Sequence, residues 1–336
     1  MNTQDATLTP NDLELLERIS PELFAAVQAN ERFSHQAARS ALARWKSRQQ
    51  PTATTPDVTG PAGDVTPPGE PPTTQLPAVQ LPLWPEPLRA VPNGFLRSAL
   101  FGAIRKGRRP LLDEVQLAAI EGIELLYTGP RLDQGDLDTW ESILHTLRAQ
   151  NMGDECRTTS AALLRLMGLS DTGKNRKILE GKISRLNASA IKIRCGRYLY
   201  MGSLLDWASK DEETQEWVII LNPRLAALFA PDQYTLVQWS VRRALSGQPL
   251  AQWLYGFYSS HASPLPIKVE TLYRLSGSEA GELKTFTQKL KKALEAVERA
   301  CAAAGDVFAW RIEDGLVYVT RTPTKAQLRH LTKHGK

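Results

Sequence analysis

LLRLMGLSDTGKNRKILEGKISRLNASAIKIRCGR, residues Leu163 to Arg197, reads as a short helix, a turn, a basic second helix and a strand entering a hairpin. The first helix is expected over 159–167. The turn is Gly168-Leu169-Ser170-Asp171, and the second helix runs over 173–187 with its reading segment from Asn175 to Leu186. At about 100° per residue, setting Ile178, Leu179, Ile183 and Leu186 inward places Lys177, Gly181 and Ser184 at the centre of the outer face. Lys174 and Arg185 flank them, Arg176 falls to one side, and Lys182 lies near the apolar edge, where its stem can cover apolar surface. Basic residues continue as Lys192, Arg194 and Arg197 around a hairpin turn at Cys195-Gly196, which is expected as a wing; residues 217–221 offer a third strand. A helix-turn-helix whose second helix is basic and followed by a hairpin predicts an element that lies in the major groove of DNA.

The second half repeats the plan. Helices are expected over 234–244 and 249–258, with aromatic side chains in the core, and a short one over 268–274. The turn Leu275-Ser276-Gly277-Ser278 leads to a long helix over 279–301 with the apolar stripe Leu283, Phe286, Leu290, Leu294, Val297 and Cys301. Its opposite face carries Gly281, Thr285, Gln288 and Lys292, flanked by Ser278, Lys284 and Lys289. A hairpin over 307–321 turns at Asp314-Gly315, the pair a two-residue turn favours. The predicted fold is therefore α+β and predominantly helical: two winged-helix domains in tandem, over 85–230 and 231–322, with a basic tail over 323–336.

Ahead of them, 1–50 is expected as a small helical region, its first helix beginning at Pro10 with Leu13, Leu16, Ile19, Leu23 and Val27 on one face and a second following over 34–48. Residues 51–79 are rich in Pro, Thr and Gly and hold no aromatic side chain. Such a segment buries too little apolar surface to offset its ordering entropy, so it is expected as a disordered linker. The 336 residues carry 41 Lys and Arg against 36 Asp and Glu, a net charge of +5, which fits a polyanionic partner. Arg105, Lys106, Arg108 and Arg109 form a compact basic loop.

Several chemistries fail on spacing. The three cysteines, Cys156, Cys195 and Cys301, make neither a disulfide framework nor a zinc knuckle, and fit a reducing cytoplasm. Residues 168–175, GLSDTGKN, nearly spell a phosphate-binding loop, but Asn175 replaces the magnesium-binding hydroxyl and a helix precedes it in place of a strand. The five histidines form no H-x-H or H-E-x-x-H pattern. Asp133, Asp136 and Asp138 read as acids at the positive end of a helix, with Asp136 as N-cap, and not as metal ligands. No catalytic site, cofactor or metal is expected. No basic stretch followed by an apolar run opens the chain, so no signal peptide is expected. No apolar run approaches ~18 residues, so neither is a membrane span.

Gln80-Leu81-Pro82-Leu83-Trp84, just beyond the linker, resembles the Q-L-x-L-F pentapeptide by which bacterial replication proteins dock on the sliding clamp; the alternative is a strand entering the folded domain. Trp84-Pro85-Glu86-Pro87, the block Pro92 to Phe101 (PNGFLRSALF), and Gly129 to Asp138 (GPRLDQGDLD) with Trp140 resemble the TrfA family of plasmid replication initiators, over about Gln80 to the C-terminus. That resemblance implies tandem winged helices that bind direct repeats, iterons, at a plasmid origin. It also implies opening of an A·T-rich segment, with single-stranded DNA as a further partner. Recruitment of the host initiator, the replicative helicase and the sliding clamp is implied as well, with monomers binding DNA and dimers restraining copy number. The family is not an enzyme class. It carries a clamp motif, implying Gln80, Leu81, Leu83 and Trp84 as its residues, although Pro82 and Trp84 depart from the usual form. The DNA-contacting residues expected are Lys174, Asn175, Arg176, Lys177, Ser184, Arg185, Lys192, Arg194 and Arg197 in the first domain. In the second they are Ser278, Lys284, Thr285, Gln288, Lys289 and Lys292. A winged-helix transcriptional repressor is the alternative.

Overall fold

The computed structural model describes residues 8–19, 24, 28, 79–105, 107, 109–149, 151–196, 198–230 and 232–334. The linker expected over 51–79 lies outside them except for Val79, as do the helix over 34–48 and Arg197. The chain divides into two compact units, Met1–Pro72 and Thr73–Lys336. In the first, helix α1 (Pro10–Ile19) starts with Thr9 and Asp12 each accepting a hydrogen bond from the other's backbone N–H. Leu16 is buried against Leu8, Leu13, Leu15 and Phe24.

The second unit runs in chain order β1 (Val79–Gln80), β2 (Leu88–Pro92), α2 (Asn93–Leu96), β3 (Phe101–Gly102), β4 (Leu111–Gln116), β5 (Ile123–Pro130), β6 (Leu132–Asp133) and α3 (Gln134–Leu147). It continues with β7 (Asn151–Met152), β8 (Glu155–Thr159), α4 (Ser160–Leu166), α5 (Gly173–Asn187), β9 (Ala190–Cys195), β10 (Tyr198–Gly202), β11 (Leu205–Lys210) and β12 (Glu216–Leu221). A 3₁₀ turn over Pro223–Phe229 leads to β13 (Tyr234–Gln238), α6 (Trp239–Ala244), α7 (Pro249–Ser259), β14 (Ile267–Lys268), α8 (Val269–Leu275), α9 (Leu283–Ala303), β15 (Phe308–Glu313), β16 (Leu316–Arg321) and α10 (Lys325–His334). Helix and sheet share this unit, so the expectation of a predominantly helical chain is corrected to a mixed α/β fold.

One order of elements occurs twice. In the first, α3 is followed by β8, α4, α5 and the hairpin β11–β12, whose second strand pairs with β8 to give the sheet β11-β12-β8. In the second, α7 is followed by β14, α8, α9 and the hairpin β15–β16, whose second strand pairs with β14. The hairpin β9–β10, read from sequence as the wing, belongs elsewhere. It joins β5 and β4 in the antiparallel sheet β10-β9-β5-β4, with Ile191, Ile193, Leu125 and Tyr127 turned to the core. Residues 217–221 are a third strand, but of the other sheet.

A further correction concerns 234–238, expected as helix. Tyr234-Thr-Leu-Val-Gln238 alternates in burial and pairs antiparallel with β2, Leu236 opposite Ala90. That pairing takes the start of the second repeat back to the beginning of the unit, so position 230/231 marks a change of repeat within one continuous core. Buried polar bonds fasten the repeats together. Arg242 of α6 is 1% exposed and bonds Asp138 of α3 at 2.6 Å, with Gln134 at 3.1 Å. Trp253 Nε1 donates to the Ser98 carbonyl at 3.1 Å, and Trp239 Nε1 to that of Leu166 at 2.8 Å.

The pentapeptide 80–84 takes the alternative reading. Gln80 lies in β1, paired with Asn151. Leu81 and Trp84 are core residues, 3% and 4% exposed, Pro82 is half-buried, and Leu83, at 70%, faces out. Trp84 Nε1 donates to His145 Nδ1 at 3.0 Å, which leaves His145 Nε2 to donate to Glu86 at 2.9 Å. Burial pushes the imidazole down to about 4, so it is neutral near pH 7. A pocket on a partner would have to extract both apolar anchors from this core.

Candidate nucleic-acid interface

Helix α5 begins at Thr172, whose hydroxyl accepts from the Asn175 N–H at 3.2 Å. Leu179, Ile183 and Leu186 are buried, while Ile178, placed inward from sequence, is 43% exposed. Lys174, Lys177 and Ser184 point to solvent and have no side-chain partner among the described residues. Three other candidates are already committed. Asn175 Nδ2 donates to the Ser170 carbonyl at 2.8 Å, and Arg176 grips Asp171 through two bonds of 2.6 and 2.7 Å. That pairing holds the Asp171 carboxyl below its ordinary range. Both interactions stiffen the turn in front of the helix.

Arg185 is the clearest correction, since the sequence counted it among the DNA-contacting residues. Its guanidinium bonds the fully buried Asp136 at 2.7 Å, and Lys182 beside it is surrounded by Asp133, Asp136 and Asp138. Burial raises the Asp136 carboxyl and lowers the Lys182 amine, each pulled back by its partner's charge. The three aspartates thus serve as docking points: Asp133 pairs with Arg109, Asp136 with Arg185 and Asp138 with Arg242. The N-cap of α3 is Asp133 and not Asp136, which sits three residues on and completes a capping box.

Lys192 and Arg194 lie on the exposed face of sheet β10-β9-β5-β4, away from the hairpin that accompanies α5, and Arg194 lies 3.3 Å from Glu124. That hairpin, β11–β12, has an acidic tip: Asp211, Glu212 and Glu213, with the Asp211 carboxylate accepting the N–H groups of Glu213 and Thr214. Lys210 ties it to Glu180 on α5 at 3.4 Å and to Glu212 at 2.9 Å. A negative tip is repelled by phosphate.

Helix α9 starts at Leu283, four residues later than expected, so Gly281 and Ser278 belong to the turn before it. Ser278 accepts from the Ala280 N–H at 3.4 Å. Phe286, Leu290, Ala293, Leu294, Val297 and Cys301 face the core, while Leu283, expected with them, is 43% exposed. Lys284, Thr285, Gln288, Lys291 and Lys292 are exposed, and Lys289 is half-buried. Positive charge therefore gathers on the first half of the helix. The acids Glu295 and Glu298 come later, Glu298 accepting from Trp310 Nε1 at 3.1 Å.

The turns that feed the two helices match. Arg165-Leu166-Met167-Gly168 and Arg274-Leu275-Ser276-Gly277 each end on a glycine in the left-handed region, φ 70° and 59°. Each glycine is covered by an arginine. A Cβ on Gly168 would fall 2.5 Å from Arg243 Nε, and one on Gly277 2.8 Å from Arg131 Nη2. The R-L-x-G repeat was available in the sequence as a signal. Arg105, which the sequence shows only as part of a basic loop ahead of α3, stands in space beside α9, across a cleft also lined by Lys289 and Lys292.

The family model described as TrfA protein matches residues 72–321. The plasmid replication initiator protein TrfA of Escherichia coli is 28% identical over 258 residues, covering 74% of this chain and 65% of that protein. RepFIB replication protein A of Salmonella typhi is 28% identical over 183 residues, 48% of this chain and 53% of that one. The chain thus spans less than two thirds of the length of either relative. Among solved structures, the crystal structure of RctB domains 2–3 has a TM-score of 0.46 at 12% identity, covering 67% of this chain and 96% of that one.

Proposed function

The chain belongs to the TrfA family, and from that premise we propose that it is a plasmid replication initiator that binds the iterons of its origin as duplex DNA. On this reading the two repeats are winged helices, with α5 and α9 as the recognition helices, set into successive major grooves about one helical turn apart. The observation that carries it is the repeated order of elements, with cations gathered on the first half of the outer face of the same helix in each copy. Lys177 and Ser184 on α5, and Thr285 and Gln288 on α9, are exposed, have no side-chain partner among the described residues, and are of the kind that reach base edges. The exposed Ile178 adds an apolar surface suited to a thymine methyl. Lys174, Lys284 and Lys291 are placed for phosphates.

Removing one base-reading side chain costs ~1–3 kcal/mol and relaxes preference at one position. Lys177→Ala together with Gln288→Ala is expected to weaken protection of the iterons in a footprint by at least tenfold. Unchanged protection would show that α5 and α9 do not read the bases. Opening of an A·T-rich segment is part of the proposal, read as permanganate reactivity of thymines beside the repeats; a winged-helix repressor binds without it. Recruitment of host replication proteins belongs to the same reading, but clamp docking through Gln80–Trp84 does not, because Leu81 and Trp84 are in the core.

A further inference from the structure

We infer that Arg105, Lys289 and Lys292 form a phosphate-binding cleft in which a loop from outside the second repeat grips the backbone of the duplex read by α9. The cleft is open, about 390 Å³, and lies between the end of the β3 segment, the start of α7, the turn at Ser278 and the second and third turns of α9. None of the three cations has an ion-pair partner among the described residues. The one acid on its wall, Glu279, stands 3.9 Å from Arg131 and is drawn there. Like charges gathered without a counter-charge repel one another, and a fixed group of them around a concavity favours a bound anion. Helix α7 adds to this field: Pro249 at its start has no N–H and no side chain caps the helix, and Leu250 and Ala251, whose N–H groups belong to its first turn, line the same cleft.

The walls are held from both sides. Arg109 donates to the Arg105 carbonyl at 2.9 Å while its other nitrogen is paired with Asp133, which fastens the basic loop to the start of α3. The Ala103 N–H donates to the Ser276 carbonyl at 2.7 Å, and Arg131 donates to that of Gly277 at 2.6 Å. The turn that launches α9 is thus bolted to the segment after β3 that carries Arg105. On the helix, Lys292 lies beside Gln288 on the outer face and Lys289 on the edge toward α7. A duplex with Gln288 at its bases therefore has a backbone strand running past this cleft. The anion is a backbone phosphodiester, and Lys292, expected from sequence as a DNA-contacting residue, touches phosphate and not a base edge.

This inference rests on the proposed function, and the experiment separates the two. Binding of the full chain to a random-sequence duplex is followed by fluorescence anisotropy across a potassium chloride series, for wild type, Arg105→Gln, Arg105→Lys and Lys292→Gln. A lost phosphate contact lowers the slope of log K against log salt by about one unit, which is roughly fivefold weaker binding near 0.15 M salt, alike for all sequences. Arg105→Gln and Lys292→Gln are expected to do this, and Arg105→Lys to retain most of the slope. An unchanged slope in both Gln variants overturns the cleft. If in that case Lys177→Ala with Gln288→Ala still abolishes iteron protection, the proposed function stands without it; a wild type that binds no duplex removes both. Saturable binding of magnesium-ATP that disappears in Arg105→Gln would assign the cleft to a free nucleotide and overturn the backbone assignment.

Discussion

Glu141 offers a direct measure of how the two repeats are joined. It sits on α3, 1% exposed, with neither carboxylate oxygen hydrogen-bonded. Arg242 comes within 3.3 Å but spends its bonds on Asp138 and Gln134. Desolvation outweighs the attraction of Arg242, and the carboxyl is pushed up to about 7 from an ordinary 4.5. Between those values the folded chain holds a proton that the unfolded chain has released, so stability falls as pH rises through the window. At 1.36 kcal/mol per unit, ionising Glu141 between pH 5 and 8 removes about 2–3 kcal/mol from the folded state. Glu141→Gln keeps the shape and cannot ionise. Urea unfolding of both proteins at several pH values should give a difference that grows in favour of the variant by about 2–3 kcal/mol from pH 5 to 8. DNA affinity should not change, since Arg242 keeps Asp138. Parallel stability curves would refute the reasoning and mean that Glu141 ionises normally in the fold.

Two further perturbations test other joints. Trp84→Ala removes a buried indole and its hydrogen bond to His145 Nδ1, which keeps Arg89 at 3.1 Å, so urea unfolding should show a loss of about 3–5 kcal/mol; a loss under 1 kcal/mol would return residues 80–84 to the role of a detachable peptide. Gly277→Ala places a Cβ 2.8 Å from Arg131 Nη2 in a left-handed backbone, whereas at Gly247, φ 81°, nothing lies within 4 Å. Both alanines incur the conformational cost of about 1–2 kcal/mol, so a larger loss of urea stability at Gly277 isolates the contact that holds the turn before α9.

The parts of the fold legible in the sequence were those where local signals agree. Helix α5 has its Thr172 cap and buried stripe, and the β15–β16 hairpin has Asp314-Gly315, both with positive φ. What the sequence hid was pairing at a distance. The β9–β10 hairpin follows α5 directly and is basic, so it passed for the wing. Its partner, β5, lies some 65 residues earlier, and the strand that closes the true sheet, β8, precedes α4. The five residues of β13 were read as helix because they run into α6 without a break, and only β2, far back in the chain, makes them a strand. The site was misread for a related reason. An exposed arc drawn on a helical wheel counts Arg185 as free, but the wheel does not contain Asp136. Buried acids on a neighbouring helix convert a predicted reader into a structural tie.

The two repeats share an order of elements but not a charge distribution, and that difference divides their labour. On α5, Asn175, Arg176, Lys182 and Arg185 are all occupied inside the protein, leaving Lys174 and Lys177 as its open cations, and the accompanying hairpin tip is acidic. On α9, Lys284, Lys289, Lys291 and Lys292 have no ion pair among the described residues, and Arg105 joins them from another segment. On the proposed DNA-binding reading, because the backbone term scales with the number of phosphates neutralised, most of the affinity and of its salt dependence would belong to the second repeat. The first repeat would then contribute mainly discrimination: its few open side chains add little non-specific attraction, so what it gains on a matching sequence stands out more clearly. That division works only if α5 cannot swing independently of α9, and the buried Arg242–Asp138 pair, with the Trp239 and Trp253 bonds between repeats, supplies the necessary stiffness.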